Sequence, residues 1–422
     1  MSGQMKVSVS RSKTLLLGAF AAVLVVSIIA FPDRAFAASL QGLTVWWKYV
    51  FPALLPFLIL SEMMMGFGVV HALGTLLEPL MRGLFRIPGV GGWALAMGAT
   101  AGLPSGARAT ASLRKQGLLT RGESQRLLAV SHLGSPVFVI TIVGVGFLGN
   151  ARLGLLLSAV HFAAALAVGV TLRLRPDREV RSEIAAPPPA SKTVPDAQAP
   201  LIRRSFAAMQ EAHAKDGRAF GKMLGDSVTA SVQSLMMIGG YMIIFSVLVQ
   251  IIDITQISGV VQHALALVTS GGSEWNDAVR SSFSGLLEIH LGTYSFARLS
   301  GLTGLPLAAA VAAVLGWGGL SSHVQAVSLA GDAQLRYLPF LAARFLHAGY
   351  SYVLTIAVWP FASGWIRSST AAFAAADGTR AEVAPFYPQL LATLSQLAVL
   401  LTAMLLLSLL LAAFRTVWRR TA

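Results

Sequence analysis

The sequence predicts an all-α polytopic membrane protein built from two inverted-topology repeats, each with a re-entrant helical hairpin. Three observations carry that prediction. First, only 12% of residues are charged and 55% are hydrophobic, with mean hydropathy +0.68, whereas a soluble domain carries about 25% charged residues. Second, several apolar runs approach the roughly 20 residues that span a bilayer. Third, two small-residue breaks interrupt apolar helices, at Gly102-Leu-Pro-Ser-Gly106 and Gly318-Gly-Leu-Ser-Ser-His323. Lipid cannot satisfy broken backbone, so such breaks survive only inside protein or beside a wet cavity. Paired breaks in two halves of a chain mark a transporter's binding site.

Taken in order, residues 1–45 read as a signal-anchor or first transmembrane helix with an external loop. Lys6, Arg11 and Lys13 precede the apolar run Leu15–Phe31. A cleaved signal peptide is the rival, since Ala35-Phe-Ala37 resembles a cleavage site, but the apolar run is long for a signal core. Residues 46–172 form the first membrane repeat. Trp46-Trp47-Lys48-Tyr49 reads as an interfacial belt, followed by a span at Val50–Val70 holding Glu62. A carboxylate in a span is a functional candidate by default. Gly74–Phe85 is short and amphipathic. Val90–Leu103 is too short to cross at 1.5 Å per residue, so it enters, turns at Pro104-Ser105-Gly106 and leaves toward Lys115. Thr120-Arg-Gly-Glu123 matches a capping box. His132-Leu-Gly-Ser-Pro136 is a second interruption, before Val137–Leu148 and a return span at Leu153–Leu172.

Residues 173–222 hold ten basic and six acidic residues and a proline cluster, and read as a disordered cytoplasmic linker. The second repeat, 223–360, contains a span at Ser227–Ile252, a short helix at Gln262–Thr269 and a weakly apolar segment Arg280–Arg298 with Glu288 and His290. A short helix at Leu302–Leu315, the Gly318 break and a span at Leu338–Trp359 follow. Residues 361–422 supply a polar loop, Ala371–Glu382, and a last span, Leu390–Phe414. The strongest internal alignment pairs Gly102–Leu113 with Gly319–Leu329. Inversion of the second repeat leaves the basic tail outside, against the positive-inside bias, unless one more crossing occurs near 278–300.

The net charge of +14 sits in loops beside spans, where it sets topology; no basic–aromatic module indicates a nucleic-acid partner. The absence of cysteine excludes disulfides, thiolate zinc sites and iron–sulfur clusters. No Walker sequence is present, so nucleotide hydrolysis is not expected. Neither a metal nor a cofactor is expected. The expected partners are the lipid bilayer and a small-molecule substrate, with proton or sodium coupling and homo-oligomerisation left open. The location expected is the bacterial plasma membrane.

The residues also carry a resemblance. Phe51-Pro-Ala-Leu-Leu-Pro56 with Glu62, Gly102-Leu-Pro-Ser-Gly106, Thr120-Arg-Gly-Glu123 and Ser131-His-Leu-Gly-Ser-Pro-Val-Phe138 resemble nucleoside-recognition (Gate) membrane proteins, specifically the sporulation YlbJ family. Gate domains are similar to parts of concentrative nucleoside transporters and of the ferrous-iron transporter B. The resemblance implies a hairpin transport core and, in the sporulation branch, passage of dipicolinate.

Candidate site residues follow from the breaks. A half-helix N-terminus suits an anion; this nominates Gly102, Pro104, Ser105, Gly106 and Arg108 at the first break, and Ser321, Ser322, His323 and Gln325 at its counterpart. His132 and Ser135 belong to the second interruption. Glu62, Glu288 and His290 are the ion-coupling candidates. Against these stand bland readings: Arg108 as an interfacial anchor, the serines as helix-packing residues, and His161 and His347 as packing residues. The leading function is a secondary transporter or facilitator of a small organic solute, dipicolinate or another small carboxylate. Nucleoside-type transport, an intramembrane serine hydrolase using Ser105 with His132 or His161, and a non-transporting scaffold are the alternatives.

Overall fold

The computed structural model describes residues 14–15, 18–19, 21–174, 199–255, 259–260, 273–331, 333, 335–367 and 406. Among these residues all regular structure is helical, and five helices are long and apolar enough to cross a membrane. The short helix at Gln262–Thr269, the Ala371–Glu382 loop and all but residue 406 of the Leu390–Phe414 span lie outside the described residues.

α1 (Ala21–Ala30) leads into α2 (Pro32–Gly66), a continuous apolar helix widened by a π-helical turn at Trp46–Val50. This corrects two expectations. Residues 38–45 are helical, not an external loop. Trp46 is no interfacial anchor: it is buried, and its Nε1 donates to Leu235 O at 2.9 Å. The long helix that carries Leu235 leaves room at Gly239, where a Cβ would meet the Trp46 ring at 2.7 Å. A buried indole needs such an acceptor.

α3 (Val69–Leu76) and the short turns Glu78–Leu80 and Met81–Phe85 precede α4 (Gly91–Ala101) and α5 (Ser105–Lys115). α4 and α5 pack against each other as a hairpin whose tip is Gly102-Leu103-Pro104. Gly102 takes φ +74°, which a side chain resists. α6 (Arg121–Ser131) opens on the expected capping box: Thr120 N donates to Glu123 Oε2 at 2.8 Å and Glu123 N to Thr120 Oγ1 at 3.2 Å. Such a cap contributes about 1 kcal/mol. The chain then breaks at His132 and resumes as α7 (Phe138–Phe147), which is π-helical, followed by α8 (Ala151–Arg173). Gly144 and Gly154 let α7 and α8 touch backbone to backbone, since a Cβ at either meets the other's Cα within 2.6 Å.

The linker is partly ordered, which corrects the expectation of disorder across 173–222. Residues 175–198 lie outside the described set, but α9 (Leu201–Asp216) docks on α3. Arg204 pairs with Glu78 at 2.6 Å, Ser205 Oγ donates to Ala72 O at 3.2 Å, and His213 Nδ1 donates to Gly66 O at 3.1 Å. Arg218 then bonds Asp216 at 2.7 Å and Asp226 at 2.9 Å, fixing the turn into α10 (Phe220–Ile254). The Arg218 guanidinium holds the Asp216 carboxyl below the usual carboxylate range. A depressed carboxylate contributes above its ordinary pKa and is lost only as pH falls through the depressed value. The turn is therefore expected to stay closed at neutral pH.

α11 (Ser273–Leu287) and α12 (Ile289–Ala297) pack against each other around Glu288. They are close enough that a Cβ on Gly292 would meet Gly285 Cα at 2.1 Å. α13 (Gly304–Trp317), Gly318 and α14 (Gly319–Gly331) follow, and then α15 (Tyr337–Arg367). The Gly318 break does not fold back. α13 and α14 do not pack against each other as α4 and α5 do; together they are long and apolar enough for one span, Gly304–Leu329, interrupted by positive φ at both Gly318 and Gly319.

The alignment of Gly102–Leu113 with Gly319–Leu329 therefore joins unlike elements, a hairpin tip and a kinked span. The order that does recur is a packed hairpin, a broken helix and a long helix: α4–α5, α6–α7 and α8, then α11–α12, α13–α14 and α15. His161 on α8 and His347 on α15 are 186 residues apart. The hairpin breaks Gly102 and Glu288, and the helix breaks His132 and Gly318, keep that same spacing of 186.

Candidate functional site

All four breaks meet at one place. A cavity of about 60 Å³ is lined by Gly102 and Leu103, by Gly134, Ser135 and Phe138, by Glu288, Ile289 and His290, and by Ser321, Ser322 and Gln325. α2 contributes Leu54 and Leu58, and α10 contributes Ile238 and Tyr241. A space this size holds a few waters, since one needs about 10–15 Å³. Ser135 and Ser321, equivalent positions in the recurring order, both face it.

Glu288 is buried and caps α12: Leu291 N donates to its Oε2 at 2.7 Å. Its Oε1 lies 2.7 Å from His290 Nδ1. A carboxylate only accepts, so Nδ1 carries the hydrogen and Nε2 is left as the other nitrogen of the ring. The Phe138 ring meets the His290 ring edge-on at 4.7 Å. Ser135 Oγ accepts from Phe138 N at 3.2 Å and so caps α7. Ser322 Oγ donates to Gly319 O at 3.1 Å, which leaves its lone pair for His132 Nε2–H at 3.2 Å.

The nominated residues divide. Gly102, Ser135, Ser321, Ser322, Gln325, Glu288 and His290 line the cavity. His132 stands behind the wall, joined to it through Ser322. His323 is turned away: Nε2 bonds Trp317 O at 2.9 Å and Nδ1 bonds Tyr337 Oη at 3.2 Å. Pro104 and Ser105 form the turn, with Ser105 N donating to Gly102 O at 2.9 Å. Gly106 is a packing position, where a Cβ would strike Ser131 O at 1.9 Å. Arg108 is exposed and Glu62 half-buried on α2; neither lines the cavity. The pairing needed for a Ser105 nucleophile is replaced by other bonds, since His132 bonds Ser322 and His161 Nε2 accepts from Gly134 N at 3.1 Å.

Sequence reading quoted Phe138 only as the end of a motif and missed Tyr241, which lies in the Ser227–Ile252 span. It also missed Arg344, which is fully buried in α15 and donates to His132 O at 2.7 Å and Ala129 O at 3.3 Å. Its signal was present as an arginine inside an apolar span.

Comparison with known proteins gives a family and a close relative. The nucleoside-recognition Gate family matches residues 47–151, which run from the π turn of α2 through the first two breaks. The sporulation integral membrane protein YlbJ of Bacillus subtilis (strain 168) is 37% identical over 366 residues, covering 85% of this chain and 86% of that protein. No solved structure gives a significant match. The chain is a multi-pass integral membrane protein and belongs to the YlbJ family of Gate-domain sporulation membrane proteins.

Proposed function

We propose that the chain is a secondary transporter or facilitator that passes a small organic carboxylate, dipicolinate among the candidates, through the cavity between its four helix breaks. The convergence of all four breaks on one cavity, where Ser135, Glu288, His290, Ser321, Ser322 and Gln325 meet among apolar side chains, carries this reading. Its electrostatics favour an anion. α7, α12 and α14 begin at the wall; Ser135 and Glu288 each cap one N–H there, and every N-terminus still turns the positive end of its helix dipole, about half a charge, toward the cavity. Together these outweigh one carboxylate, Glu288, whose two oxygens are engaged. The opposing C-terminal carbonyls are covered from behind: Leu286 O by Trp317 Nε1 at 2.9 Å, Trp317 O by His323, and Ala129 O and His132 O by Arg344. The Glu288–His290 pair is the proton-coupling element. The two halves work as an inverted pair that exposes the cavity alternately to either side.

Uptake into proteoliposomes containing only this chain tests the reading. Dipicolinate, aliphatic dicarboxylates and nucleosides are compared with and without proton or sodium gradients. Saturable carboxylate uptake is expected. Nucleoside uptake alone transfers the cavity to the second reading, which the aromatic faces of Phe138 and Tyr241 favour; no flux of any solute sinks both. Ser322→Ala is expected to lower uptake about tenfold, the cost of stranding a buried partner such as His132. Arg108→Ala is expected to leave it within about twofold, as for a surface change.

A further inference from the structure

We infer that Arg344, His347 and His161 form a positioning unit that sets the shape of the 132–136 break and, through it, the cavity wall. The break is tied on both sides by residues from the two long helices that face it. On the entering side, Arg344 donates to Ala129 O and His132 O. These are last-turn carbonyls of α6, which have no donor within their own helix. On the leaving side, His161 Nε2 accepts the N–H of Gly134, a residue that lines the cavity.

His347 joins the two ties. Its Nδ1 accepts from Arg344 Nη2, so its hydrogen sits on Nε2, which donates to His161 O at 2.9 Å. Its ring stacks on the His161 ring with centroids 4.5 Å apart. Each atom of the chain has one role: His161 must accept on Nε2, and His347 must accept on Nδ1 and donate from Nε2. Arg344 is 1% exposed, and among the described residues no carboxylate pairs with it. Its charge is offset instead by the negative end of α6. The unit sits where the two halves meet, because His161 and His347 hold equivalent places in the recurring order. None of the three residues lines the cavity, so they act on solute only through the break.

The chain contains no cysteine, so Ser135→Cys places a single thiol on the cavity wall. Its rate of reaction with a small charged methanethiosulfonate reagent reports the wall's shape without any transport assay. In that background Arg344→Met and His161→Leu are expected to change the rate about fivefold or more, the effect of freeing a buried carbonyl or N–H. His161→Gln places an amide oxygen near the Nε2 position and is expected to stay within about twofold. The uptake arm rests on the transport reading: without the cysteine, His161→Leu is expected to raise KM about fivefold with Vmax preserved, and His161→Gln to restore it.

An unchanged labelling rate in His161→Leu overturns the inference, and so does a His161→Gln variant as damaged as His161→Leu. If Arg344→Met fails to accumulate in membranes, the His161 pair decides. If the unaltered chain carries no solute, the transport reading fails, and labelling still decides the positioning unit.

Discussion

Glu288→Gln is expected to abolish proton-driven uptake, by about tenfold or more, while solute exchange without a gradient persists. The reason lies in what glutamine keeps and loses. Its amide oxygen can still accept from Leu291 N or from His290 Nδ1, the two bonds Glu288 makes at 2.7 Å. The α12 cap survives, but the side chain no longer carries a charge or exchanges a proton. Glu288→Ala removes both acceptors and leaves two buried donors unpaired, each costing about 1–3 kcal/mol. That variant is expected to lose exchange as well as driven uptake and to melt earlier. Parallel assays of counterflow and pH-gradient uptake on the two variants separate coupling from folding. Gradient-driven uptake by Glu288→Gln at the unaltered rate would remove the pair from the mechanism and leave a facilitator.

That experiment concerns a break the sequence hides. At Gly102, His132 and Gly318 the chain announces its interruptions with glycine or proline in an apolar run, and all three were legible. Glu288 stands between Leu287 and Ile289 with neither residue beside it. Its segment is also only weakly apolar, so no strong helix pattern exists there to be seen broken. The same composition misled the repeat. Gly, Ala, Ser and Leu recur throughout the chain, and they aligned a hairpin tip with a kinked span. The order that does recur in the structure is one of elements, with His161 and His347 at matching places in it, two single residues that composition cannot weigh. α9 was hidden for a different reason: its order comes from Glu78, Ala72 and Gly66, more than a hundred residues earlier in the chain. By contrast, the capping box at Thr120 was legible because all its partners lie within one helical turn.

Gly106→Ala is expected to be among the most destabilising single-methyl changes in the chain. The Ser131 carbonyl lies between the two legs of the first hairpin, and a Cβ at either Gly98 or Gly106 would sit 1.9 Å from that oxygen. The obstacle is backbone, not the end of a flexible side chain, so α6 itself must move. Overpacking of this kind costs about 1–3 kcal/mol. It also strains the Thr110 Oγ1–Ser131 Oγ contact at 3.0 Å. Ser131 is the last residue of α6 before the break, so the displacement is passed toward Gly134 and Ser135 on the cavity wall. Gly106→Ala should therefore lower both the melting temperature in detergent and the uptake rate. Gly225→Ala is the control: it sits in α10 with nothing within 4 Å of the added methyl, and alanine there is expected to stabilise by about 0.5–1 kcal/mol. Equal melting of Gly106→Ala and the unaltered chain would mean that α6 and the hairpin are not locked together, and that the cavity wall is set by the Arg344 side of the break alone.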